Sequence, residues 1–348
     1  MATLVLSGPG SRLGDVWPAR SKSHPLFDQT IKKEVQAFWQ NSPCDSWFTS
    51  EAAGTVAFYQ RLDEHRYEVH PQLQEAVNFE KTKDLRVLEI GCGCGSEAER
   101  FARAGARYTA IDLTNAAVSI TRRRFQLAGL EGCFLQGDAE NLPFPEGSFD
   151  LVYSHGVLHH TPDTARAIRE VHRVLARGGR AMIMLYYRDS FNYQVNLRLV
   201  RRLRAHLLRT RAGYKLAQLI GQESPEELQR HAELIRRDPS HLDMQHVLNR
   251  NTDGPDNPLS QVFSRASGRR LFAQFRDVRT RIMFWNRNWL PGIGKVLPRR
   301  VENRLASLWG WHLWIFAQKP PAEFAEERAP QPTEPVIHVH RREEAFAH

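Results

Sequence analysis

Three glycines at alternate positions, in Glu89-Ile-Gly-Cys-Gly-Cys-Gly-Ser96, narrow the folds open to this chain more than any other feature. The run follows Arg86-Val-Leu-Glu-Ile90, which reads as a buried strand, and it opens a helical stretch over 97–104 that stops at Gly105. Glycines at such a corner let the backbone turn sharply and approach a ligand with no Cβ in the way. Short segments of strand and helix pattern then alternate. Strands are expected at 107–111, 133–136, 149–153 and 180–187, and helices at 115–128, ending at Gly129, and 163–175, closed by Gly178-Gly179. Strands joined by crossover helices imply a parallel sheet with right-handed connections and a ligand at the carboxyl ends of its strands.

The flanking regions differ in texture. Residues 1–26 are rich in Gly, Ser and Pro and read as a mobile start. Residues 27–80 read as an N-terminal helical cap. In it Ile31, Val35, Phe38 and Trp39 recur at helical spacing behind Asp28 or Thr30 as N-cap, and further helices are expected at 50–67 and 71–79. The α/β core is assigned to 81–190 and 271–319, the latter with strand pattern at 275–284 and 311–318. Residues 191–270 read as helix and polar loop, an inserted lid over the acceptor. Residues 320–348 are charged and proline-rich and read as a disordered tail.

Bulk properties exclude several classes. A chain of 348 residues that is 41% apolar can bury a sizeable core. Cys44, Cys92, Cys94 and Cys133 lack the spacing of a disulfide scaffold and read as reduced thiols of a cytoplasmic protein. No apolar run has the length of a membrane span or signal peptide. The net charge of +9 is concentrated at Arg198, Arg201, Arg202, Arg204, Arg209, Arg211 and Lys215, a stretch without an acid. Leu199, Val200, Leu203, Leu207 and Leu208 lie on the other side of the same helix. Such an amphipathic basic helix suits peripheral contact with an anionic membrane surface or an anionic substrate, and equally a solvated face over the core. The stretch lacks interleaved aromatics, so no nucleic-acid partner is expected.

Two ligand classes compete for the glycine loop. Gly93, Gly95 and Ala98 satisfy the G-x-G-x-x-A spacing of a nicotinamide-dinucleotide site. Asp112, 21 residues beyond Gly91, can take both ribose hydroxyls in either class. The other acids separate them. Asp138 follows the third strand, where it can accept from an adenine amino group. Glu89 would repel a pyrophosphate but suits a ligand with an ammonium and a sulfonium.

Leu88-Glu-Ile-Gly-Cys-Gly-Cys-Gly95, Ile111-Asp-Leu-Thr114, Gly137-Asp-Ala-Glu-Asn-Leu-Pro-Phe144, Ser148-Phe-Asp-Leu-Val152, Val157-Leu-His-His-Thr-Pro-Asp163 and Arg173-Val-Leu-Ala-Arg-Gly-Gly179 come in order. Together they resemble the successive motifs of class I S-adenosylmethionine-dependent methyltransferases. The likeness is greatest to the branch with ubiquinone/menaquinone and small-molecule methyltransferases, and it covers about residues 85–187. It implies a Rossmann-like, seven-stranded, mostly parallel sheet, with the N-terminal cap and a helical insertion between strands 5 and 6. It implies S-adenosyl-L-methionine as cofactor, with Glu89, Gly91, Cys92, Gly93 and Gly95 around its methionine half. Asp112 would bind the ribose and Leu113 the adenine face. Asp138 and Ala139 would hold the adenine edge, and Ser154 or His155 would lie under the sulfonium. In related proteins N-terminal residues fold over the cofactor, a role open here to Tyr59, Arg66 and Tyr67.

On the acceptor side, His155, His159 and His160 are the candidate general bases, since histidine titrates near neutral pH. If a helical turn follows the fourth strand, His155 and His159 share a face. Tyr187 belongs to an aromatic stretch, with Tyr186, Phe191 and Tyr193, that suits a planar or lipid-like acceptor. His241, Asp243 and His246 form H-x-D-x-x-H; no metal is expected there, and His241 or His246 is a candidate acceptor contact in a hydrogen-bonded lid. The expected acceptor is a small or lipid-like molecule methylated on oxygen, nitrogen or carbon. A nicotinamide-dependent oxidoreductase and a non-catalytic cofactor-binding partner protein are the alternatives. Oligomeric state is open.

Overall fold

A computed structural model describes residues 25–321, apart from 45, 221–223, 255 and 291. The mobile start and the disordered tail expected from sequence fall, but for their innermost residues, outside the described residues. The cap consists of α1 (Pro25–Asn41), α2 (Val56–Val69) and α3 (Gln72–Val77). α1 begins earlier than its side-chain pattern indicates. Proline suits a first helical turn, where its missing N–H costs nothing, so Asp28 and Thr30 lie inside the helix and do not cap it.

The core runs β1 (Arg86–Ile90), α4 (Ser96–Arg103), β2 (Arg107–Asp112), α5 (Asn115–Ala128), β3 (Cys133–Gln136), β4 (Phe149–His155), α6 (Thr164–Val174) and β5 (Leu175–Tyr187). Local chemistry sets several of these limits. Thr114 caps α5 by accepting from the Ala117 amide, and Gly129 ends it in the left-handed region. Asp163 caps α6 through the Arg166 amide. β5 is longer than the apolar run suggests: it starts at Leu175 and carries the Gly178-Gly179 corner as an irregularity in its pairing with β4.

A wide π-helical turn over Asn192–Arg201 leads into the insertion, α7 (Arg202–Leu207), α8 (Arg211–Ile220), α9 (Pro225–Arg237) and α10 (Met244–Arg250). The insertion also contributes a strand that sequence pattern does not reveal. β6 (Val262–Phe263) is two residues long and pairs in parallel with Tyr186 and Tyr187 of β5. The described residues end with α11 (Arg265–Leu271), β7 (Arg276–Met283), α12 (Arg299–Trp309) and β8 (His312–Gln318).

The sheet order is β3-β2-β1-β4-β5-β8-β7, with β6 beside β5. Pairings among β1 to β5 are parallel, and β8 alone runs antiparallel, between β5 and β7. The order reverses between β1 and β4, so their carboxyl ends diverge into a crevice. Successive residues serve opposite faces. Leu88, Ile90, Val152, Ile183, Leu185 and Ile315 pack with α6, while Val87, Tyr153, Met184, Tyr186 and Trp314 build the other core with α4 and α5. Both faces are covered, and the strands are accordingly near-continuous apolar runs. No helix among the described residues is long and apolar enough to cross a membrane.

A buried ion cluster fastens α2 to this core. The Arg124 guanidinium of α5 donates to Glu99 of α4 and to Asp63 of α2, and the Tyr59 hydroxyl donates to the Ile120 carbonyl at 2.6 Å. Trp314 is the largest fully buried side chain. Trp314→Ala is expected to cost about 3–5 kcal/mol of unfolding free energy by denaturant titration; a loss below about 1 kcal/mol would contradict its place in the core.

Candidate functional site

The crevice opens into a cavity of about 310 Å³. Its floor is the glycine loop. Gly91 has φ +80°, and a Cβ there would lie 2.2 Å from Cγ2 of Val157, so the two strand ends approach as closely as they do only because position 91 has no side chain. Gly93 and Gly95 also adopt positive φ, and the Gly93 amide points to Oδ2 of Asp112 at 3.3 Å. The other Asp112 oxygen accepts from the amide and hydroxyl of Thr114, both at 2.9 Å. Burial raises the Asp112 pKa, and these hydrogen bonds to its ionised form work against that rise.

α1 closes one side of the cavity. Lys32 reaches Oδ2 of Asp138 and Oε2 of Glu140, each at 2.6 Å, while the Glu140 amide donates to Oδ1 of Asp138. Burial works against the lysine charge, but hydrogen bonds and the charges of both carboxylates outweigh it and raise its pKa. Gln36 donates to the Leu113 carbonyl, and Trp39 meets the His160 ring edge-on.

The remaining wall is aromatic and imidazole-rich. His70, His155 and His312 form a triangle with ring centroids 5.3–5.8 Å apart, and Phe284 stacks on His312. Arg66, in a two-pronged ion pair with Glu97, places Nη2 3.1 Å from Nδ1 of His155. Burial, reinforced by His312 and Arg66 for His70 and by Arg66 and His312 for His155, holds both well below the usual histidine range. Burial and then Arg66 bring His312 to about 3. These rings are therefore neutral at physiological pH. Opposite them Asp253, from the insertion, accepts the Tyr186 hydroxyl at 2.7 Å and faces Nε2 of His160 at 3.4 Å. The short contact from Nδ1 of His160 to the Leu259 carbonyl, 2.6 Å, assigns the proton to Nδ1 and leaves Nε2 toward the carboxylate.

Of the residues singled out from sequence, Arg66, Gly91, Cys92, Gly93, Gly95, Asp112, Leu113, Asp138, Ala139, His155, His160 and Tyr186 line this cavity. Tyr59, Tyr67, Glu89, Ser154, His159, Tyr187, His241 and His246 do not. Glu89 is buried behind the loop against the Tyr108 hydroxyl, and its pKa is driven well above the carboxylate range by burial and then by Glu97. Ser154 donates to the Ile90 carbonyl, and Tyr67 to the Ser96 carbonyl. His159 is fully buried with its ring on Tyr186. It does not share a helical face with His155: β4 continues through His155, and Gly156 at φ +78° turns the chain before a single turn over Leu158–His160. Tyr187 faces the opposite core from Tyr186. His241 and His246 pair with each other in the insertion, away from the cavity lining. No metal-ligating group of side chains occurs among the described residues.

Lys32, Trp39, His70, Asp253, Phe284, Trp311 and His312 enter the wall without being singled out beforehand. One signal was available for the last two. A final antiparallel strand begins at the end of the sheet where the parallel strands finish, so its first residues belong to the site.

Residues 88–183 match the family model described as a methyltransferase domain. Over 96 residues the chain is 46% identical to phthiotriol/phenolphthiotriol dimycocerosates methyltransferase of Mycobacterium leprae, a match covering 27% of this chain and 35% of the relative. It is also 46% identical over 96 residues to the fatty-acid O-methyltransferase of Mycolicibacterium smegmatis, covering 27% and 34%. The matched region thus spans about a third of the length of these curated relatives. Among solved structures, magnesium protoporphyrin IX methyltransferase from Synechocystis PCC 6803 superposes with a TM-score of 0.48 at 14% identity, covering 83% of this chain and 99% of that one.

The histidine wall has a consequence for stability. A histidine held below its unfolded value of 6.5 refuses a proton that the unfolded chain accepts, so its contribution is present above that pH and lost as pH falls. As pH falls below 6.5, the loss from His312 alone is expected to steepen toward about 1.4 kcal/mol per pH unit, with His70 and His155 acting in the same direction. His312→Phe should flatten the slope by that amount in denaturant titrations; identical slopes would contradict a neutral, buried His312.

Proposed function

Because residues 88–183 form a class I S-adenosylmethionine-dependent methyltransferase domain, we propose that this chain methylates a hydroxyl oxygen of an apolar, lipid-like acceptor. The observation that carries the reading is the continuity of one cavity from the glycine loop, Asp112 and Asp138 to an aromatic wall holding Tyr186, Asp253 and His160. The relatives' names support an apolar acceptor, one naming phthiotriol and phenolphthiotriol dimycocerosates and one fatty acids; the choice of a hydroxyl rests on the wall itself.

The residues present fit the cofactor. The missing Cβ at Gly91 and the turn at Gly93 leave backbone at the floor for the methionine half, beside Cys92 and Gly95. Asp112, at the end of β2, binds the ribose hydroxyls, and Asp138 with Ala139 borders the adenine, next to Leu113. Lys32 fixes the direction of the Asp138 carboxylate. When bound, S-adenosylmethionine supplies a methyl group on a positively charged sulfur, a leaving group that needs no acid. The protein's part is then largely alignment, which in well-oriented systems removes about 7–11 kcal/mol of the barrier.

A hydroxyl acceptor, unlike a sulfonium, has a proton to lose. Asp253 and Nε2 of His160 lie together on the wall and can take it as the oxygen bonds to the methyl carbon. Tyr186 holds the other Asp253 oxygen, orienting the carboxylate. The same carboxylate disfavours an anionic acceptor such as a fatty acid, which is why the reading selects a hydroxyl. Histidine base catalysis therefore falls to His160. His155, nearer Arg66 and without a carboxylate partner, is assigned to the wall beside the sulfonium. Contact with an anionic lipid surface belongs to the same reading: Leu199, Val200 and Leu203 are exposed beside Arg198, Arg201 and Arg202, and only Leu208 of that apolar set is buried.

The test is transfer of a labelled methyl group from S-adenosylmethionine to long-chain alcohols and phenols, with fatty acids and amines in parallel. Ether formation is expected, and Asp253→Asn should slow it about 10²–10⁴-fold, the usual worth of a positioned base. Exclusive methylation of carboxylates or amines, or an Asp253→Asn variant at the wild-type rate, would overturn the assignment.

A further inference from the structure

α12 is an amphipathic helix that turns Val301, Leu308 and Trp309 to solvent and leaves Leu305 half-buried. None of its residues is buried, although it packs along β7. Val301 is 43% exposed, Leu308 51% and Trp309 52%. Val301, Leu305 and Leu308 recur at i, i+4 and i+7, which sets them in one stripe. Arg300 and Arg304, four residues apart, run alongside it and are exposed. Just before the helix, Ile293 and Val296 are 63% and 76% exposed. Solvent-facing large apolar side chains clustered within one short segment, and bordered by arginines, mark an interaction surface.

The place of this surface in the chain matters as much as its composition. Trp309 is two residues from Trp311 and three from His312, and both of these line the cavity. Phe284, at the end of β7 on which α12 rests, lines it as well. The exposed stripe is therefore continuous through the backbone with the acceptor wall. Glu302 is the acid of the helix, and Arg287 pairs with it, so the face is net cationic. A second copy of this face in a two-fold contact would bring like charges together. Gln318, the last residue of β8, lies at the opposite end of that strand from Trp309.

We infer that α12, with Ile293 and Val296, is a docking surface for an anionic lipid bilayer, laid against the membrane beside the acceptor cavity. Exposed leucine and valine enter the acyl boundary, tryptophan suits the headgroup level, and arginines meet anionic headgroups. The surface is chemically independent of the transfer reaction. It extends the lipid-acceptor reading by giving the acceptor a route from the membrane, yet membrane binding and methyl transfer are measured separately.

The test is co-sedimentation of the full chain with phosphatidylcholine vesicles, with and without phosphatidylglycerol. Binding is expected to be at least tenfold stronger on the anionic vesicles and to weaken in high salt. Val301→Ser/Leu308→Ser should lower it at least tenfold, and Arg300→Glu/Arg304→Glu should remove the preference for anionic lipid. Both changes are at exposed positions, so thermal unfolding should stay at the wild-type temperature. Three results would overturn the inference. They are no vesicle binding by the wild type, binding abolished by Leu199→Ser/Leu203→Ser but untouched by the α12 changes, and a solution dimer that the α12 changes dissociate. The last would assign the face to a second copy of the chain.

Discussion

The close approach of the Gly91 backbone to Val157 is the constraint on which the site depends. It joins the end of β1 to the turn after β4, across the point where the strand order reverses. On one side of that contact, the loop from Gly91 to Gly95 is left as bare backbone and meets Asp112. On the other, Val157 stands between His155 and the turn that presents His160. A side chain at position 91 would push the two ends apart and separate the glycine-loop floor from the histidine and tyrosine wall.

Charge is distributed around this floor so that little of it is left uncompensated. Buried carboxylates are costly without partners, and here Asp138 and Glu140 share Lys32, while Glu97 takes Arg66. Each of these cations comes from the cap. The cap is thus held to the core by the same groups that shape the cavity. Toward the acceptor, burial keeps three imidazoles neutral, and the carboxylate of Asp253 is the exception, met by a hydroxyl and a histidine. In the proposed reading, this neutral aromatic and imidazole wall with the Asp253 carboxylate on it takes an acceptor that is apolar apart from a hydroxyl.

Much of this was legible in the sequence wherever a local signal coincides with the tertiary one. β1, α5 and β3 end where the apolar pattern and the Thr114 and Gly129 caps say they should. The cavity floor follows from short motifs, because glycines and acids sit directly at strand ends. The acceptor side was less readable. Asp253 reaches His160 from nearly a hundred positions along the chain, and nothing in its polar loop announces that contact. Glu89 looked like a ligand contact by its position next to the loop, but strand alternation turns its side chain to the face shared with Val87 and Tyr153, where Tyr108 takes it. α12 was hidden by the proline- and glycine-punctuated stretch before it and by an apolar stripe of which no residue is fully buried.

The central claim is that the glycine loop and Asp112 form a site for S-adenosylmethionine. The most direct measurement is calorimetric titration of the wild type and Asp112→Ala with S-adenosylhomocysteine. The account predicts binding by the wild type in the micromolar range or tighter, and a loss of about 1.5–3 kcal/mol in the variant. Absence of binding in folded wild-type protein, equal affinity in the two proteins, or binding of a nicotinamide dinucleotide in its place would contradict it.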